Sequence, residues 1–228
     1  MALPTLSVPT FDVEIYSTKQ KVKMRPFLVK EEKLLILAAE SNQRADMIRA
    51  MQEVINSCSS GNIDAEKLPF FDLQNIFIKL RSQSIGKESE FNLICGECGH
   101  KTPTTLDLEN IDLRTSPNHT NKIMLTDDIG VIMKYPTAEV LINENQPVFD
   151  LVVSCVDKVF TTDEIHDAAD QSYEEICEFI DGLTSDQFDK IVEFFETAPK
   201  ILHTIEYTCP NCQTENTVVV DGVENFFG

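Results

Sequence analysis

Basic residues are scarce in this chain: 19 Lys and Arg stand against 38 Asp and Glu, a formal net charge of −19. A field of that sign repels phosphate backbones and favours solubility, so it argues against nucleic-acid binding. Long apolar runs are missing as well. No segment approaches the ~18 apolar residues of a membrane span, and Met1-Ala2-Leu3-Pro4-Thr5-Leu6 has neither the basic region nor the apolar stretch of a secretory leader. The expectation is a chain that stays where it is made, with no membrane partner. Glycine-rich phosphate loops are also lacking, since Ser84-Ile85-Gly86-Lys87-Glu88 carries a lone glycine and reads as a turn. No Ser/His/Asp or Cys/His set stands out. The adjacent Asp127-Asp128 reads as turn chemistry, and His166 beside Asp163, Glu164 and Asp167 reads as a solvated charged loop rather than a metal cluster. A non-enzymatic protein is expected.

What the chain does have is cysteine in a pattern. Cys95-Gly96-Glu97-Cys98 and Cys209-Pro210-Asn211-Cys212 are two C-x-x-C turns, each preceded by alternating apolar residues (Phe91, Leu93; Ile205, Tyr207). Each is followed nine residues after its second cysteine by an aspartate, Asp107 or Asp221. A turn that presents two thiolates from a hairpin is half of a tetrahedral zinc site, and a second such turn completes it. Cys95, Cys98, Cys209 and Cys212 are therefore read together as one structural zinc site, although the roughly 110 residues between the pairs far exceed the spacing of a compact ribbon. The alternatives are two redox dithiols or two disulfides. Redox C-x-x-C sits at a strand-to-helix junction, whereas both motifs here run on into strand-like residues, and disulfides need an oxidising compartment to which nothing points. His100 reads as a turn residue rather than a substitute ligand. Cys58, Cys155 and Cys177 lie in apolar helical patterns and read as buried free thiols.

With 42% hydrophobic residues over 228 positions the chain can bury a sizeable core, and it reads as a single α+β domain, 1–228, of helical layers and antiparallel hairpins. Its segments are an N-terminal hairpin with helices (1–90), the first C-x-x-C hairpin with a second hairpin (91–136), a helical part (137–200) and the second C-x-x-C hairpin (201–228). Alternation predicts strands around Phe11–Ile15 and Val22–Met24, with Pro26 ending the ladder. Helical spacing predicts helices over 30–39, 43–58 and 69–82, the last with Arg81 on its polar side. Ile123–Leu125 and Ile129–Tyr135 form a hairpin covered on both faces. Val148 to Phe160 reads as one apolar helix, followed by a helix capped by Ser172 with Glu175 and another capped near Ser185. Both halves show helix, acidic loop, helix, strand and C-x-x-C, the pattern of an old duplication.

Four stretches, in this order, carry a resemblance: Lys23-Met24-Arg25-Pro26-Phe27-Leu28-Val29-Lys30-Glu31-Glu32-Lys33, the Leu80-Arg81-Ser82-Gln83-Ser84-Ile85-Gly86 turn, the Gly130-Val131-Ile132-Met133-Lys134-Tyr135-Pro136 hairpin and the terminal C-x-x-C. Together they resemble the small baseplate hub subunits of T-even-type contractile-tailed phages. That resemblance implies a hub component, or a factor needed to build the hub, acting in the host cytoplasm on other hub or tail proteins, with no catalytic residues. Residence in the virion and a role as an assembly chaperone are both compatible with it. The competing class is a zinc-ribbon adaptor for nucleic acid or a polymerase. Charge separates them: His100 and Lys101 face Glu97, Asp107 and Glu109 in the first hairpin, and no Lys or Arg follows Lys200 in the second, which favours the structural reading. Val223-Glu224-Asn225-Phe226-Phe227-Gly228 is a candidate docking segment.

Overall fold

The computed structural model describes residues 7–111, 113–142 and 146–221. The proposed docking segment at 223–228 lies outside them. In chain order the elements are strands β1 (Phe11–Glu14) and β2 (Lys21–Met24), helices α1 (Val29–Glu40), α2 (Arg44–Cys58) and α3 (Phe70–Ser84), and strands β3 (Glu88–Ile94), β4 (Lys101–Asp107) and β5 (Leu113–Arg114). Then come β6 (Lys122–Met124), β7 (Gly130–Met133), α4 (Ala138–Leu141), α5 (Val148–Cys155), β8 (Val156–Phe160), β9 (Ile165–Asp167), α6 (Tyr173–Asp181) and α7 (Ser185–Thr197). Strands β10 (Lys200–Thr208) and β11 (Glu215–Asp221) follow. All pairings are antiparallel, so the mixed α and β content expected from the sequence is present.

The chain divides into two compact units, Met1–Arg114 with Lys200–Gly228, and Thr115–Pro199 inserted between them. The first unit is built on α3. Leu73, Ile76, Phe77 and Leu80 follow helical spacing and are wholly buried, together with Val54 and Ile55 of α2. Buried polar groups tie the N-terminal hairpin and α1 to this core. Asp72, fully buried on α3, accepts the backbone N–H groups of Tyr16 (2.7 Å) and Ser17 (3.2 Å), closing the β1–β2 turn from 55 residues away. Burial pushes its carboxyl above the ordinary range, against the Ser17 and Tyr16 donors. Glu31, three residues after Leu28, accepts the Leu28 N–H at 2.8 Å and, through its other oxygen, Arg25 and Ser57, each at 2.8 Å. Arg81 is half-buried rather than on a solvated face, and desolvation lowers its pKa.

The second unit has its own core. Val131, Met133, Val152, Val156, Ile180, Ile191 and Phe194 join a four-stranded sheet, order β6-β7-β8-β9, to α5, α6 and α7. The apolar stretch 148–160 is not one helix: α5 ends at Cys155, Val156 is extended, and β8 pairs with β7. β-branched Val156 and Val159 fit a pleated surface better than a helix turn, and β7 offers an open edge for them. Likewise the acidic loop around His166 contains strand β9, with His166 opposite Val159. The cap of α6 is Ser172 with Glu175, as read from the sequence, whereas α7 is capped one residue earlier, by Thr184 with Gln187. The Asp127-Asp128 turn is held by the Thr126 hydroxyl, which accepts the N–H groups of Asp128 and Ile129.

Gly130 opens β7 where a side chain has no room. A Cβ there would lie 2.3 Å from the Phe160 ring and 2.7 Å from the Ile123 carbonyl oxygen. Gly130→Ala should therefore destabilise the protein by about 1–3 kcal/mol, as overpacking does. The check is the urea midpoint at unchanged slope, and an unaltered midpoint would show that Phe160 moves aside freely.

Candidate metal centre

Two hairpins of the first unit build the site. β3 and β4 pair over seven residues each, from Glu88 opposite Asp107 to Ile94 opposite Lys101, and β10 pairs with β11 from Leu202 opposite Asp221 to Thr208 opposite Glu215. Asp107 and Asp221 thus mark the far ends of equivalent strands. The connecting loops have the same backbone. The Cys95 N–H donates to the His100 carbonyl (3.0 Å) and the Gly99 N–H to the Cys95 carbonyl (2.9 Å); the Cys209 N–H donates to Thr214 (2.9 Å) and the Gln213 N–H to Cys209 (2.9 Å). The fifth residue of each loop, counted from its first cysteine, is left-handed, Gly99 at φ 68° and Gln213 at φ 63°. Glycine meets that demand without strain; glutamine meets it at a cost of about 1–2 kcal/mol.

This shared turn aims two sulfurs from each hairpin at one point. The Sγ atoms of Cys95, Cys98, Cys209 and Cys212 all lie within 4.8 Å of one another, with Cys95 to Cys212 and Cys98 to Cys209 each 3.6 Å apart. All four are free thiols, so neither motif is a disulfide. A metal–sulfur distance of about 2.3 Å sets the corners of a tetrahedron about 3.8 Å apart. The residues therefore fit a four-coordinate ion. Cys95 and Cys209 are buried, whereas Cys98 and Cys212 face solvent.

The surroundings favour ionised sulfur at two positions. The N–H groups of Cys98 and Glu97 lower the Cys95 pKa, and the hydroxyl and N–H of Thr214, whose oxygen is 3.3 Å from Cys212 Sγ, bring Cys212 down to about 6. At Cys209 the Cys212 N–H pulls downward, but burial and the adjoining Cys212 and Cys98 sulfurs outweigh it and push the thiol up to about 11. Four thiols this close cannot all ionise without a cation among them. Asparagines that the sequence reading overlooked complete the setting: Asn216 accepts the Gly96 N–H across the two hairpins at 3.4 Å, and Asn211 Nδ2 lies 3.6 Å from Cys98 Sγ. Their signal in the sequence is faint, polar side chains within four residues of a cysteine.

Other candidates fall elsewhere. His100 is exposed and contributes its carbonyl to the first loop. His166 Nε2 lies 3.5 Å from Glu164 and belongs to no metal-type cluster among the described residues. Cys58 and Cys155 are buried, and burial raises each to about 11, which suits inert core thiols. Cys177 is only half-buried, packed at the margin of the second unit's core rather than within it.

The resemblance carried by the four sequence stretches can now be set beside a direct match. Residues 8–228 match the family described as T4 bacteriophage base plate protein. The chain belongs to that family. Neither a curated protein nor a solved structure matches it. A structural role in the phage base plate follows from the family, and with it association with other base plate or tail proteins. No helix among the described residues of this base plate protein is long and apolar enough to cross a membrane.

Proposed function

We propose that this base plate protein is a non-enzymatic component or assembly factor of the base plate hub, whose first unit is locked by one zinc ion held by Cys95, Cys98, Cys209 and Cys212. The convergence of four sulfurs from two like loops within 4.8 Å carries the reading. A closed all-thiolate tetrahedron suits zinc and leaves no coordination position for a substrate, so the ion serves the fold. It would join strands that enter the unit from opposite ends of the sequence. Hub contacts would then be made by surfaces that this framework holds in place. Co-expression with the other base plate hub proteins should give a complex that survives purification, and failure of every hub protein to co-purify would overturn the hub assignment.

The adaptor reading differs in one measurable respect. With 19 cationic against 38 anionic side chains, few groups are available to displace counterions. Binding to duplex DNA or structured RNA should be weak and should vanish as salt rises. A submicromolar dissociation constant at roughly 150 mM salt would promote the adaptor over the hub component.

A further inference from the structure

Helix α1 carries large apolar side chains on two faces. Leu35 and Ala38 are buried against the first unit's core, yet Val29, Ile36 and Leu37 on the other side are 65%, 51% and 64% exposed. Lys33 and Glu40 share that outer face, but three large apolar side chains gathered on it exceed what a solvated helix face carries and mark a contact surface. The outer face also has relief. Leu37 stands between two depressions shared with α2, one of about 370 Å³ lined by Lys30, Lys33, Leu34 and Glu53 among others, the other of about 280 Å³ reaching Ala38, Arg49 and Ala50.

The charges beside this ridge indicate what covers it. Lys33 and Glu40 are exposed and lie on the same face, seven residues apart, with Ile36 and Leu37 midway between them. At about 1.5 Å per residue the two charges are about 10 Å apart along the axis. If a second α1 lies antiparallel on the first, with its two-fold axis between Ile36 and Leu37, each Lys33 meets the other copy's Glu40. The four central apolar side chains then meet at the axis, and each Leu37 ridge lies beside the other copy's depressions. A two-fold contact requires a patch complementary to itself, and this sequence of cation, apolar pair and anion has that property.

We infer that the outer face of α1 is a self-association surface, through which two copies of this chain pair antiparallel with reciprocal Lys33–Glu40 ion pairs around Ile36 and Leu37. The inference does not depend on the metal. A single helix of 12 residues covers less than the ~800 Å² per partner of a standard interface, and both copies carry a net charge of −19. The dimer is therefore weak, with a dissociation constant in the micromolar range or above.

Sedimentation equilibrium of the full chain, up to a concentration on the order of 500 µM, tests it. Wild type should pass reversibly from monomer to dimer. Lys33→Glu alone, or Glu40→Lys alone, replaces two ion pairs with two like-charge contacts and should raise the dissociation constant tenfold or more. The Lys33→Glu/Glu40→Lys double variant should restore it, which neither hydrophobic stickiness nor a different partner would produce. Both positions are at the surface, and matched thermal midpoints of the three variants confirm intact folding. A wild type that stays monomeric throughout overturns the inference. So does a dimer indifferent to the single reversals, or one lost in the singles and not recovered in the double.

Discussion

Serine at position 95 should empty the metal site and unlock the first unit. Wild-type protein should contain about one zinc per chain, and Cys95→Ser close to none, because three thiolates and a hydroxyl make a poor tetrahedral set. Cys95 is 1% exposed and its sulfur lies 3.6 Å from that of Cys212, so the vacancy is central rather than peripheral. Structural zinc contributes about 10–16 kcal/mol of binding free energy in small zinc domains, and a loss on the order of 5 kcal/mol is expected where other packing persists. A chelator should bring wild type to the same thermal midpoint and leave the variant's midpoint where it is. Cys177→Ser, outside the cluster, serves as the control and should keep the zinc. Unchanged zinc content and midpoint in Cys95→Ser would sink the shared site. Two ions per chain would mean independent sites, and iron in place of zinc would change the identity of the ion.

Removing the Glu31 carboxylate should cost about 3–5 kcal/mol, because it leaves a partly buried guanidinium without its anion. Glu31 is 5% exposed and Arg25 19%, and the same carboxylate also serves Ser57 and the first turn of α1. Burial alone would raise its pKa; Arg25, the Leu28 N–H, Ser57 and Lys30 outweigh that and hold it at about 2, below its ordinary 4.5. A depressed folded-state pKa gives stability that is complete above about 4.5 and is lost as pH falls toward about 2, on the order of 3 kcal/mol for this shift. Asp72 acts in the opposite sense. Its pKa is raised by burial, so protonation relieves the fold as pH falls. The contribution of Glu31 is isolated by comparing wild type with Glu31→Gln in urea between pH 6 and pH 2.5. The gap between their midpoints should narrow on acidification, and a constant gap would show that shape rather than charge is what matters there.

Much of this was legible in the chain because local pattern and tertiary role agree. The stripe Leu73, Ile76, Phe77, Leu80 reads as a helix face and is one, and Ser172 with Glu175 reads as a cap and is one. The C-x-x-C hairpins were visible for the same reason: alternation, turn and alternation are all local. The α5–β8 junction was not. Its apolar residues suit a buried helix and a buried strand equally, and the decision belongs to β7, which lies more than twenty residues upstream. Asp72 and Glu31 were invisible as anchors since each is read through partners elsewhere in the chain, Tyr16 and Ser17 for one, Ser57 for the other. Arg81 falls in the same class, a helix-end cation whose burial depends on neighbours that the sequence does not name.

The interruption of the first unit by the second has a consequence in time. Residues 115–199 are contiguous, and their contacts can form as soon as they emerge from the ribosome. The first unit is finished otherwise. Its strand β5 waits for Lys200 and Ile201, and its first pair of thiolates waits for Cys209 and Cys212, more than a hundred residues later. At about 5–20 residues per second the half-site of Cys95 and Cys98 stands alone for several seconds, a dithiol open to oxidation or to a borrowed metal. The inserted unit should therefore acquire protection from hydrogen exchange on a nascent chain stalled once residue 199 has cleared the exit tunnel. The flanking unit should acquire it only when the second loop has emerged as well.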